Sequence, residues 1–191
     1  MSDETRDSRQ GMTRPGLGHR TLSIGLVVCS LGLVGFLHGD YGVTWDEPNQ
    51  HQYGKHVVRY YETLFADRSA LTYLDAYLYG ALFDSVAALL VRASPLGAFE
   101  TRHLANALVG LAGILGLWKM ARLVGGGGAA ALAGALLFFE PSYFGHMFNN
   151  PKDIPFAVGY VWSLYFVMRG ALSSFRTSPG GCSCSPGWRS A

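Results

Sequence analysis

Four stretches of this chain carry no formal charge over nearly the length of a membrane-crossing helix, which leaves few environments in which it can fold. Between Arg20 and Asp40 the sequence runs TLSIGLVVCSLGLVGFLHG, close to the ~20 apolar residues that an α-helix needs to cross a bilayer core. Further uncharged runs lie between Arg102 and Lys119, between Arg122 and Glu140, and between Asp153 and Arg169. Each is slightly short, but flanking lysines and arginines can lay their stems along lipid and keep their charges at its surface. Only 15% of the residues are charged and 49% are apolar, against roughly 25% charged in a soluble domain. These runs predict an all-α integral membrane protein with about four transmembrane helices and an outer loop carrying interfacial helices. A basic N-terminus before an apolar core would also suit a cleaved signal peptide. No small-x-small pattern follows Phe36-Leu37-His38, so the first span reads as an uncleaved anchor.

The basic residues orient the spans. Arg14 and Arg20 precede the first, Lys119 and Arg122 sit in the tight turn between the second and third, and Arg169 and Arg176 follow the fourth. All fall on one side, which the positive-inside rule makes cytoplasmic. Residues 1–20 are then a cytoplasmic tail, and residues 21–170 a transmembrane module. Its outer loop, 39–101, and the short segment from His146 to Asp153 face outward. The expected location is the cell membrane, multi-pass, with the active loop extracytoplasmic and membrane lipids as partners. The outer loop holds eight acids (Asp40, Asp46, Glu47, Glu62, Asp67, Asp75, Asp84, Glu100) and four bases (Lys55, Arg59, Arg68, Arg92), which agrees.

Inside that loop Val57, Tyr60, Tyr61, Leu64 and Phe65 recur at helical spacing, with Lys55, Arg59 and Glu62 opposite. An amphipathic helix lying on the membrane and a helix packed on its own protein fit this pattern equally. The stretch Tyr77 to Val91, interrupted by Asp84, reads as an interfacial or re-entrant helix. Gly125 to Gly128 lacks the Gly-Lys-Ser/Thr ending of a phosphate loop and reads as a turn. A net charge of +2 without a basic stripe implies no nucleic-acid partner. Cys29, Cys182 and Cys184 suggest no disulfide framework.

Chemistry concentrates at two outer positions. Thr44-Trp45-Asp46-Glu47-Pro48 puts two carboxylates just beyond the first span. Acids and a proline in a first turn also make an ordinary helix start. The second outer segment, Phe144 to Asp153, gathers His146, Asn150, Lys152 and Asp153 at the mouth of a span, a depth at which polar groups are costly unless used. A lipid-borne phosphate would lie at that level. Lys152 could neutralise it as a point charge, and Asp46 could take a proton from an acceptor hydroxyl. A phosphate leaves as an anion, so one base and one cation suffice for sugar transfer, whereas a glycosidase needs a second carboxyl to protonate its leaving group. Two adjacent carboxylates could also hold a divalent cation in place of the lysine's charge; no metal ligand set is assigned.

The order of these parts resembles the N-terminal part of the GT-C fold glycosyltransferases: one span, a long loop opening on Trp45-Asp46-Glu47-Pro48, the Tyr79-Gly80-Ala81-Leu82-Phe83-Asp84 segment, close-set spans, then Gly145-His146 to Lys152-Asp153. Dolichyl-phosphate-mannose protein mannosyltransferases and aminoarabinose transferases are the similar members. The resemblance covers roughly Leu22 to Met168. It implies an inverting transfer from a lipid-linked sugar donor, a polyprenyl-phosphate sugar, to an acceptor the sequence does not identify. Asp46 and Glu47 stand at the catalytic positions, with Lys152, Asp153, His146 and Asn150 as substrate-binding residues. Such enzymes usually continue through more spans, whereas residues 171–191 turn to Ser, Gly, Pro, Cys and Arg. We expect that tail to be disordered, the product of a shifted reading frame or a truncation, and the chain to be too short for turnover. The rival class is a non-enzymatic multi-span protein, a transporter or scaffold subunit; polar clusters at one surface and spans without a buried charge argue against transport.

Overall fold

The computed structural model describes residues 17–177. They form six α-helices: α1 (Leu17–Leu37), α2 (Glu47–Glu62), α3 (Leu82–Ala93), α4 (Ala98–Phe138), α5 (Pro141–Asn149) and α6 (Asp153–Thr177). Single 3-10 turns at Ser69–Leu71 and Ala76–Leu78 join α2 to α3. Among the described residues there is no strand, as expected of an all-α chain.

One helix, Ala98–Phe138, is long and apolar enough to cross a membrane, and α1 contributes a shorter apolar stretch, Ile24–Leu37. The long helix takes in both the second and the third expected spans. It is not straight. Gly126 has φ 73° and ψ −161°, a combination open in practice to glycine alone. At ~1.5 Å per residue a straight helix would hold Trp118 and Gly134 roughly 24 Å apart. A Cβ on Gly134 would instead lie 3.6 Å from Trp118 Cδ1 and 3.9 Å from Ile114 Cγ2. The helix therefore doubles back around Gly126, and its arms, 98–125 and 127–138, pack on each other. The glycine run is the turn that the sequence suggests.

The first arm of α4 is the spine of the fold. Gly110, Gly113 and Gly116 make a bare row along it. A Cβ on Gly110 would come within 2.6 Å of Met147 Cβ in α5, and one on Gly116 within 3.0 Å of Val161 Cγ1 in α6. Small residues of this kind let membrane helices approach closely. Val34 of α1, Ala107 of α4, Met147 and Phe148 of α5, and Ile154 and Val158 of α6 form the buried core. Around it Val28 on α1 and Phe156, Tyr160 and Val167 on α6 stand exposed, as on a surface bathed by lipid.

The segment between α1 and α4 folds onto this spine. Pro48 sits in the first turn of α2, where its missing N–H would be unpaired anyway. The buried face of α2 includes Gln50, His51, Tyr53, Gly54, Val57 and Val58 and packs on α3. At Gly54 the contact is close enough that a Cβ would run into the carbonyl of Asp84. The amphipathic helix is thus packed on its own protein. It ends at Glu62, and Leu64 and Phe65 follow with φ 51° and 70°, so they are not part of its stripe. Helix α3 has 12 residues, ~18 Å of rise, and cannot span a ~30 Å hydrocarbon core. At the other end α6 continues to Thr177, so the first part of the expected disordered tail is helical: Ala171 and Leu172 sustain the helix, and the stop signal Pro179-Gly180-Gly181 comes later. The rest of that tail, like residues 1–16, lies outside the described residues.

Candidate active site

Asp46 occupies the N-cap position of α2, yet its side chain makes no capping bond. Its Oδ2 accepts from Lys152 Nζ at 3.0 Å. The two outer positions singled out in the sequence therefore meet in direct contact, and helix capping does not account for Asp46. Lys152 lies in the short connection between α5 and α6, with its ammonium 4.6 Å from the centre of the Tyr79 ring, within reach of a cation–π attraction. Both side chains of the pair are partly open to solvent.

The pair stands on the rim of a cavity of about 380 Å³, which Gln50, Tyr53, Tyr79, Asp84 and Phe156 also line. That volume is in the range of small-molecule sites. Its lining mixes aromatic side chains with polar and charged ones. At its base Asp84 bonds Arg102 Nη2 at 2.6 Å. Burial pushes the Asp84 carboxyl above its ordinary range, against the pull of the Arg102 guanidinium. Nearby His51 is held below its ordinary value by burial first, then by the charges of Lys55 and Arg102.

Glu47 turns the other way. It is 1% exposed; its Oε1 lies 2.9 Å from His103 Nε2, and its Oε2 accepts from the backbone N–H of Thr44 at 2.6 Å. It does not line the cavity. The adjacent carboxylates thus diverge rather than converge on a common point, and among the described residues no group of three or more His, Cys, Asp or Glu side chains is placed to hold a metal ion.

His146, Asn150 and Asp153 form a local network beside Lys152. Asn150 Nδ2 donates to Asp153 Oδ2 at 2.8 Å, and Asp153 N–H donates to Asn150 Oδ1 at 3.1 Å. His146 Nδ1 stands 3.5 Å from Asn150 Nδ2. These residues secure the start of α6, and of the four expected to bind substrate only Lys152 lines the cavity.

Sequence reasoning missed the groups behind the site. Arg102 and His103 are 1% exposed at the head of α4, with Asn106 one turn on, so that helix does carry buried ionisable groups. The signal was present: three polar residues at positions 102, 103 and 106 share one helical face. Arg102 reads in the sequence as the flank of a span, and His103 and Asn106 as part of the uncharged run that follows it.

Fold and site together give, among the described residues, an all-helical chain with one helix long and apolar enough to cross a membrane and an acid and an amine paired over a small cavity. Residues 97–177 match the family described as dolichyl-phosphate-mannose-protein mannosyltransferase. That stretch is similar to part of a GT-C type enzyme, in agreement with the resemblance read from the residues, and it makes this part of the chain glycosyltransferase-like. The match takes in α4, α5 and α6 with Arg102, His103 and Lys152; Asp46 and Glu47 lie before it. No curated protein and no solved structure matches the chain.

Proposed function

We propose that the chain transfers a sugar from a polyprenyl-phosphate donor to an acceptor hydroxyl at the outer face of the membrane, with inversion at the anomeric carbon. The 3.0 Å contact between Asp46 and Lys152 at the cavity rim carries this reading. The acceptor oxygen bonds to the anomeric carbon as the bond from that carbon to the phosphate oxygen breaks. Asp46 takes the acceptor proton as general base. The polyprenyl phosphate departs as an anion, and Lys152 meets its charge. Glu47 is sealed from the cavity and touches neither substrate; among the adjacent acids Asp46 alone is the base. His146, Asn150 and Asp153 support Lys152 from the start of α6, behind the cavity. The N-terminus is cytoplasmic and the cavity extracytoplasmic, in a multi-pass arrangement. A divalent cation is a second way to meet the phosphate charge, and a chelator distinguishes it from Lys152.

The test is release of polyprenyl phosphate from a radiolabelled lipid-linked sugar by the protein in proteoliposomes. Asp46→Asn should lower that release by about 10²–10⁴-fold, the contribution of a positioned general base, with unchanged expression. Unaltered release would remove Asp46 from the mechanism, and no release by the parent protein would favour the non-enzymatic reading.

A further inference from the structure

We propose that Glu47 and His103 are a positioning pair that sets the distance between Asp46 and Lys152. The inference rests on the transferase reading for its purpose but not for its geometry. Asp46 has little of its own to hold it: its side chain is more than half exposed and, among the described residues, bonded to Lys152 alone. Its neighbour is anchored on every side. Glu47 Oε1 meets His103 Nε2 at 2.9 Å, and both side chains are sealed, at 1% and 2% exposure. Glu47 Oε2 accepts from Thr44 N–H at 2.6 Å and lies 3.1 Å from Thr44 Oγ1.

The same hydroxyl stands 3.4 Å from the backbone oxygen of Asn149, the last residue of α5 and just upstream of Lys152. His103 Nδ1 faces the backbone oxygen of His38, beyond the end of α1, at 3.4 Å. One buried carboxylate therefore ties together the segment after α1, the loop before α2, the head of α4 and, through Thr44, the end of α5. Two of those segments carry the two halves of the site.

Both ring nitrogens of His103 face oxygens, the Glu47 carboxylate and the His38 carbonyl. Both side chains of the pair are sealed, so losing one partner leaves the other's polar group without its bond where water does not reach. Such a pair does not slide; it holds one arrangement or breaks. That property suits a support for a carboxylate that must stay within a few tenths of an ångström of its productive place.

Dipolar EPR in a background with Cys29, Cys182 and Cys184 changed to serine tests this. Nitroxides replace Trp45, beside Asp46, and Tyr160 on α6, with a control pair at Leu89 on α3 and Leu108 on α4. His103→Leu should at least double the width of the 45–160 distance distribution and leave the 89–108 distribution unchanged. His103→Gln, whose amide nitrogen falls near the place of Nε2, should restore the narrow distribution. Should His103→Leu not fold, Glu47→Gln serves, with the same broadening expected. An unchanged 45–160 width would overturn the proposal, as would equal broadening of both pairs, which would mark a role in the whole fold. In protein that turns over, His103→Leu should lower kcat with KM unchanged. Absence of turnover in the parent would sink the transferase reading while the distances still decide the positioning.

Discussion

Arg102 is the most demanding residue in the molecule. A fully buried guanidinium carries five donors in a rigid fork, and here Nη2 alone has a carboxylate, Asp84, while Nε and Nη1 face no hydrogen-bonding partner. Its charge is offset by that one bond and by the Phe83 ring, 5.9 Å from the guanidinium carbon. Arg102→Met should therefore cost about 3–5 kcal/mol, because it strands Asp84 without its counter-charge. The double change Arg102→Met with Asp84→Leu should recover most of that loss, as measured by thermal denaturation in detergent. A double variant no more stable than the single one would mean that the pair contributes nothing by itself. The same pair marks the limit of what could be read without coordinates. Asp46 and Lys152 were legible because charge asymmetry placed both on one face and the chemistry asked for them together. Asp84 and Arg102 were not, because Asp84 reads as a break within an apolar run and Arg102 as the charged edge of another, and only the tertiary contact turns both inward.

At the level of elements, α4 departs most from a simple reading. Hydropathy separates two runs with Lys119 and Arg122 between them, and the glycines after them announce a turn. What hydropathy does not report is where the chain reverses. The reversal falls at Gly126, beyond both basic residues, since only there does the backbone take a conformation that a side chain would oppose. Gly126→Ala should cost about 1–3 kcal/mol through that backbone alone. Gly145, in α5 with open space around it, is the contrast: Gly145→Ala should stabilise by about 0.5–1 kcal/mol by favouring the helix. Thermal melts of the two variants check both signs. Equal effects would mean that the turn is not held by the glycine conformation. The length of α2 and its packing were half legible. Its amphipathic spacing is clear in the sequence, but spacing cannot say whether the apolar face meets lipid or protein; the Gly54 contact with α3 decides that.

For the molecule as a whole, the contact between Asp46 and Lys152 has a consequence in time. With nothing bound, the oxygen that would accept a proton is already engaged by an ammonium, so the base is latched. An arriving phosphate competes for that same ammonium and releases the carboxylate as it docks. Activation of the acceptor then depends on the donor being in place, and bound water is not deprotonated in its absence. On the proposed transferase reading the kinetic order is compulsory, donor first. A non-reactive acceptor analogue should accordingly inhibit uncompetitively against the lipid-linked donor in initial-rate measurements. Noncompetitive inhibition would mean that the acceptor site opens independently of the donor, and that the resting ion pair guards nothing.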